Sequence, residues 1–156
     1  MLLALMEEYQ RSTIELKQIL SKIPQALFEK IVDKNTKDPD CISIQSITIH
    51  IVRSGYTYSN YINSMSNREW YEYDENIETP QKGIEEIGKM LDYSENSFIG
   101  IWDKTNEEIE KWKFETRWGV TYDFEQLMEH AIVHFLRHRR QIENIIKDQI
   151  ALAKEY

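Results

Sequence analysis

Three of the chain's four histidines, His130, His134 and His138, stand four residues apart. On a helix of about 3.6 residues per turn, a step of four turns the side chain by only about 40°, so neighbours in this row share a face. Histidines at i and i+4 are a common way for one helix to offer two imidazole nitrogens to one metal ion. At about 1.5 Å of rise per residue, His130 and His138 lie about 12 Å apart, too far to bind the same ion. One adjacent pair can do so. A third nitrogen must then come from elsewhere, and the remaining histidine is His50.

Leu127, Ala131, His134, His138, Ile142 and Ile145 follow one another at steps of three and four, so two histidines replace apolar residues in a core stripe. The stripe is expected to drift to Ile146 and Ile150 in the last turns. Each uncompensated buried polar ring costs about 1–3 kcal/mol, and a divalent ion would compensate both at once. The plainer reading is three half-buried rings satisfied by neighbours such as Tyr56, Tyr58 or Glu129. His130 can replace His138 as the partner of His134, support the ligands from behind, line a pocket or simply be exposed. Gln141, one turn past His138, can orient a ligand or hold a water, or it is a solvated helix residue. Arg137, Arg139 and Arg140 make either a solvated face, with Glu143 four residues from Arg139, or an anion-recognising rim on a metal pocket. Cys41 has no CxxC partner and reads as a structural thiol. The Gly83 to Gly88 spacing lacks the Lys-Ser/Thr of a phosphate-binding loop.

HFLRHRRQ (His134 to Gln141) resembles the HxxxHxxQ pattern near the end of DinB-like proteins. SIQSITIHIVRS (Ser43 to Ser54) resembles that family's second helix, and TRWGVTYDFEQLMEHAIVH (Thr116 to His134) the entry to its last. Many members carry a Gly between the last His and the Gln, where Arg139 and Arg140 stand here. The resemblance implies an all-α four-helix bundle. It also implies a divalent transition metal such as Zn or Ni on His50, His134 and His138, and a homodimer. It further implies a metal-dependent hydrolase or a transferase using a low-molecular-weight thiol, acting on a small molecule. The alternatives are a non-catalytic metal-binding or scaffold protein, and a helical dimer whose histidines only pack.

Such a site needs helices to hold it, and the composition supplies them. With 156 residues the chain suits one domain, residues 1–156, that buries about 70% of its unfolded surface. Gly is 5 and Pro is 3, too few for a turn-rich all-β protein. A net charge of −8 argues against nucleic acid and against an anionic membrane surface as partners. MLLALMEEYQ lacks a basic leader and reads as a helix start, and no apolar run approaches the ~20 residues of a membrane span; a cytoplasmic protein is expected.

Helix one is expected from Leu2 to Lys22, with Leu5, Tyr9, Ile14, Leu16, Ile19, Leu20 and Ile23 as its apolar side, ended by Pro24. PQALFEKIV (Pro24 to Val32) can restart as a short turn, and Asp33 to Asp40 is a polar loop. Helix two starts at Ser43 as N-cap and runs to about Met65, although the β-branched run from Ile42 to Val52 also suits a strand. Ser66 to Thr79 is long for a loop; fourteen extended residues reach about 46 Å, enough to cross over and set helices two and three parallel. Thr79-Pro80 caps helix three, expected to about Asp103. Thr105 to Thr116 carries no assignment, Arg117-Trp118-Gly119 reads as a turn, and Asp123 with Gln126 opens helix four as a capping box.

Overall fold

The computed structural model describes residues 1–154 and is mostly helical. Four long helices dominate: α1 (Leu2–Leu20), α3 (Ile44–Ser64), α4 (Pro80–Ser97) and α6 (Phe124–Lys154). Between them lie two short helices, α2 (Gln25–Phe28) and α5 (Asn106–Ile109), a 3₁₀ turn (Pro39–Cys41), and the strands β1 (Lys113–Glu115) and β2 (Thr121–Asp123). Each long helix packs on two others, in the cyclic order α1, α4, α3, α6. Among the described residues, no helix is long and apolar enough to cross a membrane.

The helix starts follow their caps. The Ser43 side chain accepts from Ser46 N–H in a capping box, and the Thr79 hydroxyl accepts from Lys82 N–H, with Pro80 following. At α6, Asp123 Oδ1 accepts from Gln126 N–H at 2.9 Å while Gln126 Oε1 accepts from Asp123 N–H at 3.0 Å. The β-branched run from Ile42 that also suited a strand is helical from Ile44 onward. Ile44, Ile47 and Ile51 are fully buried at steps of three and four, and packing a helical stripe overrides local β-preference.

Side-chain register sets the helix directions. Gly83 sits against Thr48, Met90 against Gly55, and Ser94 Oγ lies 2.7 Å from Ser59 Oγ. The pairing climbs α3 and α4 together, so these two run parallel. Tyr58 meets His130 while His50 meets His134 and His138, so α6 runs antiparallel to α3. Gly55 is required where it stands, because a Cβ there would enter contact distance of Met90 Sδ, and Met90 is fully buried.

Four expectations need correcting. Helix one stops at Leu20, not Lys22; the Ser21 N–H donates to the Lys17 carbonyl and the Lys22 N–H to the Ile19 carbonyl, closing the last turn. Helix three stops at Ser97, not near Asp103. Phe98 and Ile101 turn inward, Phe98 packing on Phe124 at 5.5 Å, and Gly100 takes φ +81. Ile14 is 52% exposed, off the core side of α1, and Ile150 is 52% exposed, so the buried stripe of α6 ends at the half-buried Ile145 and Ile146. The otherwise unassigned stretch before α6 forms an antiparallel hairpin, Phe114 opposite Tyr122. Its turn is the expected one at Arg117-Trp118-Gly119, closed by Thr116 N–H to Val120 O at 2.9 Å, with Gly119 at φ +81.

Candidate metal centre

The facing stretches of α3 and α6 bring together the three residues that sequence spacing singled out. His50, His134 and His138 each offer one ring nitrogen, and the three atoms lie within 4.8 Å of one another. The ring centroids of His50 and His134 are 4.9 Å apart, those of His50 and His138 4.9 Å, and those of His134 and His138 4.5 Å. His50 Nε2 is 2.9 Å from His134 Nε2. Two imidazoles on a tetrahedral ion at about 2.0–2.1 Å place their nitrogens about 3.3 Å apart, so the His50 and His134 donors need to part by only a few tenths of an ångström.

Two rings are fixed from behind. His50 Nδ1 lies 3.0 Å from Asp40 Oδ2 and His138 Nδ1 3.0 Å from Gln141 Oε1. A carboxylate or amide oxygen can only accept, so both Nδ1 atoms carry the proton and both Nε2 lone pairs face the common centre. His134 has no such partner: its Nδ1 is buried without a hydrogen bond. Its ring is held by packing, with the Tyr58 ring edge-on at 5.7 Å.

The electrostatics favour the neutral form of His134 and His138. Burial, with the neighbouring His138 and His50 rings, pulls the His134 pKa down to about 3. Burial also lowers that of His138, partly opposed by Gln141. A neutral imidazole is the form that ligates a metal. The donor set fits a divalent ion of the Zn or Ni kind in type and spacing, with His134 and His138 favoured in the neutral form.

The other candidates divide. His130 lies beyond the cluster: its ring stacks on His134 at 6.4 Å and on Trp118 at 5.9 Å, and Nδ1 is 3.2 Å from the Tyr122 hydroxyl. It lines a surface hollow with Tyr122 and Gln126. Gln141 takes the orienting place, and its Oε1 also accepts from Cys41 Sγ at 3.8 Å. Arg139 pairs with Glu15 and Glu143, and Arg140 reaches Glu143 at 3.4 Å. Arg137 is exposed, and its charge helps to lower the pKa of His134 and His138.

Sequence reading missed Asp40. It was placed in a polar loop, and nothing in its spacing from His50 marks it. The loop is shaped by Asp38, whose side chain accepts from Asp40 N–H at 3.0 Å and caps the 3₁₀ turn. That turn delivers the Asp40 carboxylate to the His50 ring. Also missed was a cleft of about 310 Å3 opening beside His50, lined in part by Arg53, Thr57, Arg117 and Trp118.

Compared with known proteins, the chain matches no family model and no curated protein.

Proposed function

We propose that this protein is a metal-dependent enzyme built as a four-helix bundle of the DinB-like type, with a long crossover between α3 and α4. His50, His134 and His138 hold one divalent transition-metal ion. The observation that carries this reading is the convergence of three imidazoles, two of them tied through Nδ1 to Asp40 and Gln141. Such second partners on the far side of the ring are what ligating histidines typically have.

A divalent ion held by three imidazoles supplies Lewis acidity and lowers the pKa of a water or thiol that joins it. The chain's own residues supply the rest. Asp40 and Gln141 hold two rings in the ligating tautomer. Tyr58 packs against His134 and limits water on that side. The cleft beside His50 gives a small molecule a seat against that ring. Hydrolysis and transfer involving a low-molecular-weight thiol are the two reaction types that this arrangement suits. A closed, merely structural site is less well supported, because His130, the nearest candidate for a fourth ligand, is engaged with Tyr122 and Trp118. A homodimer belongs to the same reading, and light scattering at micromolar concentration tests it.

The deciding measurement is metal content by plasma mass spectrometry on protein purified without a histidine tag, beside His50→Ala and His134→Ala. About one ion per chain, lost in both variants, is the expected result. Protein that stays empty after dialysis against Zn²⁺ and Ni²⁺ would sink the metal centre and the enzyme with it.

A further inference from the structure

Arg53 lies on α3 and Arg117 in the β1–β2 turn, yet one cleft of about 310 Å3 is lined by both, together with His50, Thr57, Tyr58 and Trp118. Among the described residues neither guanidinium has a carboxylate within 4.0 Å, whereas Arg11, Arg139 and Arg140 are all paired. Two unpaired cations sharing a concave site in a chain of net charge −8 are a local exception to its overall field.

Arg117 is held in place before any ligand arrives. Its Nη2 donates to Thr57 Oγ1 at 3.2 Å, its backbone N–H donates to the Tyr61 hydroxyl at 2.7 Å, and its guanidinium carbon lies 5.9 Å from the Trp70 ring centroid. Arg53 follows His50 by three residues, so the helix carries it on the same side. Asp40 is the one carboxylate lining the cleft, and Oδ2 is already engaged by His50 Nδ1 at 3.0 Å. Trp118, edge-on to Tyr58 at 6.2 Å, forms with it an aromatic wall.

We infer that this cleft seats the anionic group of a small substrate, a carboxylate or phosphate gripped between Arg53 and Arg117. The carbon frame lies against Trp118 and Tyr58, and the reacting end meets the His50 edge of the centre. A planar guanidinium fork matches either anion. The word substrate rests on the metal-centre reading; the anion site itself needs no metal.

The test is a titration of metal-free and zinc-loaded protein with benzoate, its neutral isostere benzamide, and inorganic phosphate, followed by the ¹⁵N–¹H signals of the tryptophan indoles and arginine Nε groups. On metal-free protein, benzoate is expected to bind about tenfold more tightly than benzamide. Arg53→Gln and Arg117→Gln should each lower benzoate affinity by about tenfold and leave benzamide unchanged, while Arg140→Gln changes neither. Phosphate binding more tightly than benzoate marks a phosphate ester as the natural ligand; the reverse order marks a carboxylic acid. Equal binding of benzoate and benzamide, or undiminished benzoate binding in both arginine variants, would overturn the proposal. Failure of the metal reading appears separately, as missing zinc stoichiometry with the benzoate preference intact.

Discussion

His50 and His138 each carry a partner on the far side of the ring, and the value of that arrangement is measurable at single residues. Asp40→Asn keeps the size of the side chain but offers an N–H as well as a C=O to His50 Nδ1, weakening the preference for the ligating tautomer. We expect metal affinity to fall about 10–100-fold in a chelator competition, with the fold intact by circular dichroism. Unchanged affinity would mean that Asp40 only caps its own loop. His134 gives a different prediction, for the metal-free protein. Its folded pKa is lowered to about 3 by burial, below the ordinary 6.5 that it regains on unfolding. Above pH 6.5 both states are neutral. As pH falls below that value, the unfolded chain takes up a proton that the folded site refuses, so stability is lost by up to about 1.4 kcal/mol per pH unit until about pH 3. Urea midpoints at pH 7.5 and 5.5 should therefore differ, and less so in His134→Leu. Equal midpoints in the parent protein would show that the ring is not held neutral. The Glu86 carboxylate does not confuse the comparison of pH 7.5 with pH 5.5. Burial raises its pKa, but hydrogen bonds from Lys89 and Lys82 outweigh that and hold it below the usual value of 4.5, so its stability is lost only at lower pH.

At the scale of elements, the site depends on α3 lying at one fixed height against its neighbours. Gly55 permits this on one side of α3 while His50 faces α6 on another. In Gly55→Ala the added methyl meets Met90 Sδ and Cγ, with the Tyr9 hydroxyl at 3.0 Å, and Met90, Tyr9 and Phe135 leave no space to retreat. The expected cost is about 1–3 kcal/mol in urea unfolding, and a loss of less than that would show that Met90 can repack. The caps act at the same scale. Ser43→Ala removes the hydroxyl that accepts from Ser46 N–H, leaves the Ser43 N–H on Ser46 Oγ, and should cost about 1 kcal/mol, read in the same experiment. The hairpin contributes differently: the turn at Gly119 sets Trp118 over Tyr58 and His130, so a short, weakly paired element shapes the cleft mouth.

For the molecule as a whole, a metal that binds only the folded state adds stability by mass action, about 2.7 kcal/mol at a free concentration 100 times the dissociation constant. Melting temperature should therefore rise on zinc addition in the parent protein, and not in His50→Ala or His134→Ala. A rise of equal size in those variants would place the binding elsewhere.

The linear pattern marks the starts of three long helices and the shared face of two ligands. Capping residues at Ser43, Thr79 and Asp123 act through neighbours three residues away, and the His134–His138 step is fixed by helical pitch; both are local effects that a linear pattern records. The same locality explains the readable turn at Gly119. Tertiary structure decided what depends on distant chain segments meeting. The hairpin strands have three residues each, too short for an alternating pattern to mark them. The inward turn of Phe98 and Ile101 follows from the position of Phe124. Asp40 reaches His50 only because Asp38 bends the loop, and Arg53 shares a cleft with Arg117 only because the β1–β2 turn folds back over α3. Contacts of that kind leave no period in the sequence, since the residues that make them are spaced by the fold and not by the pitch of one element.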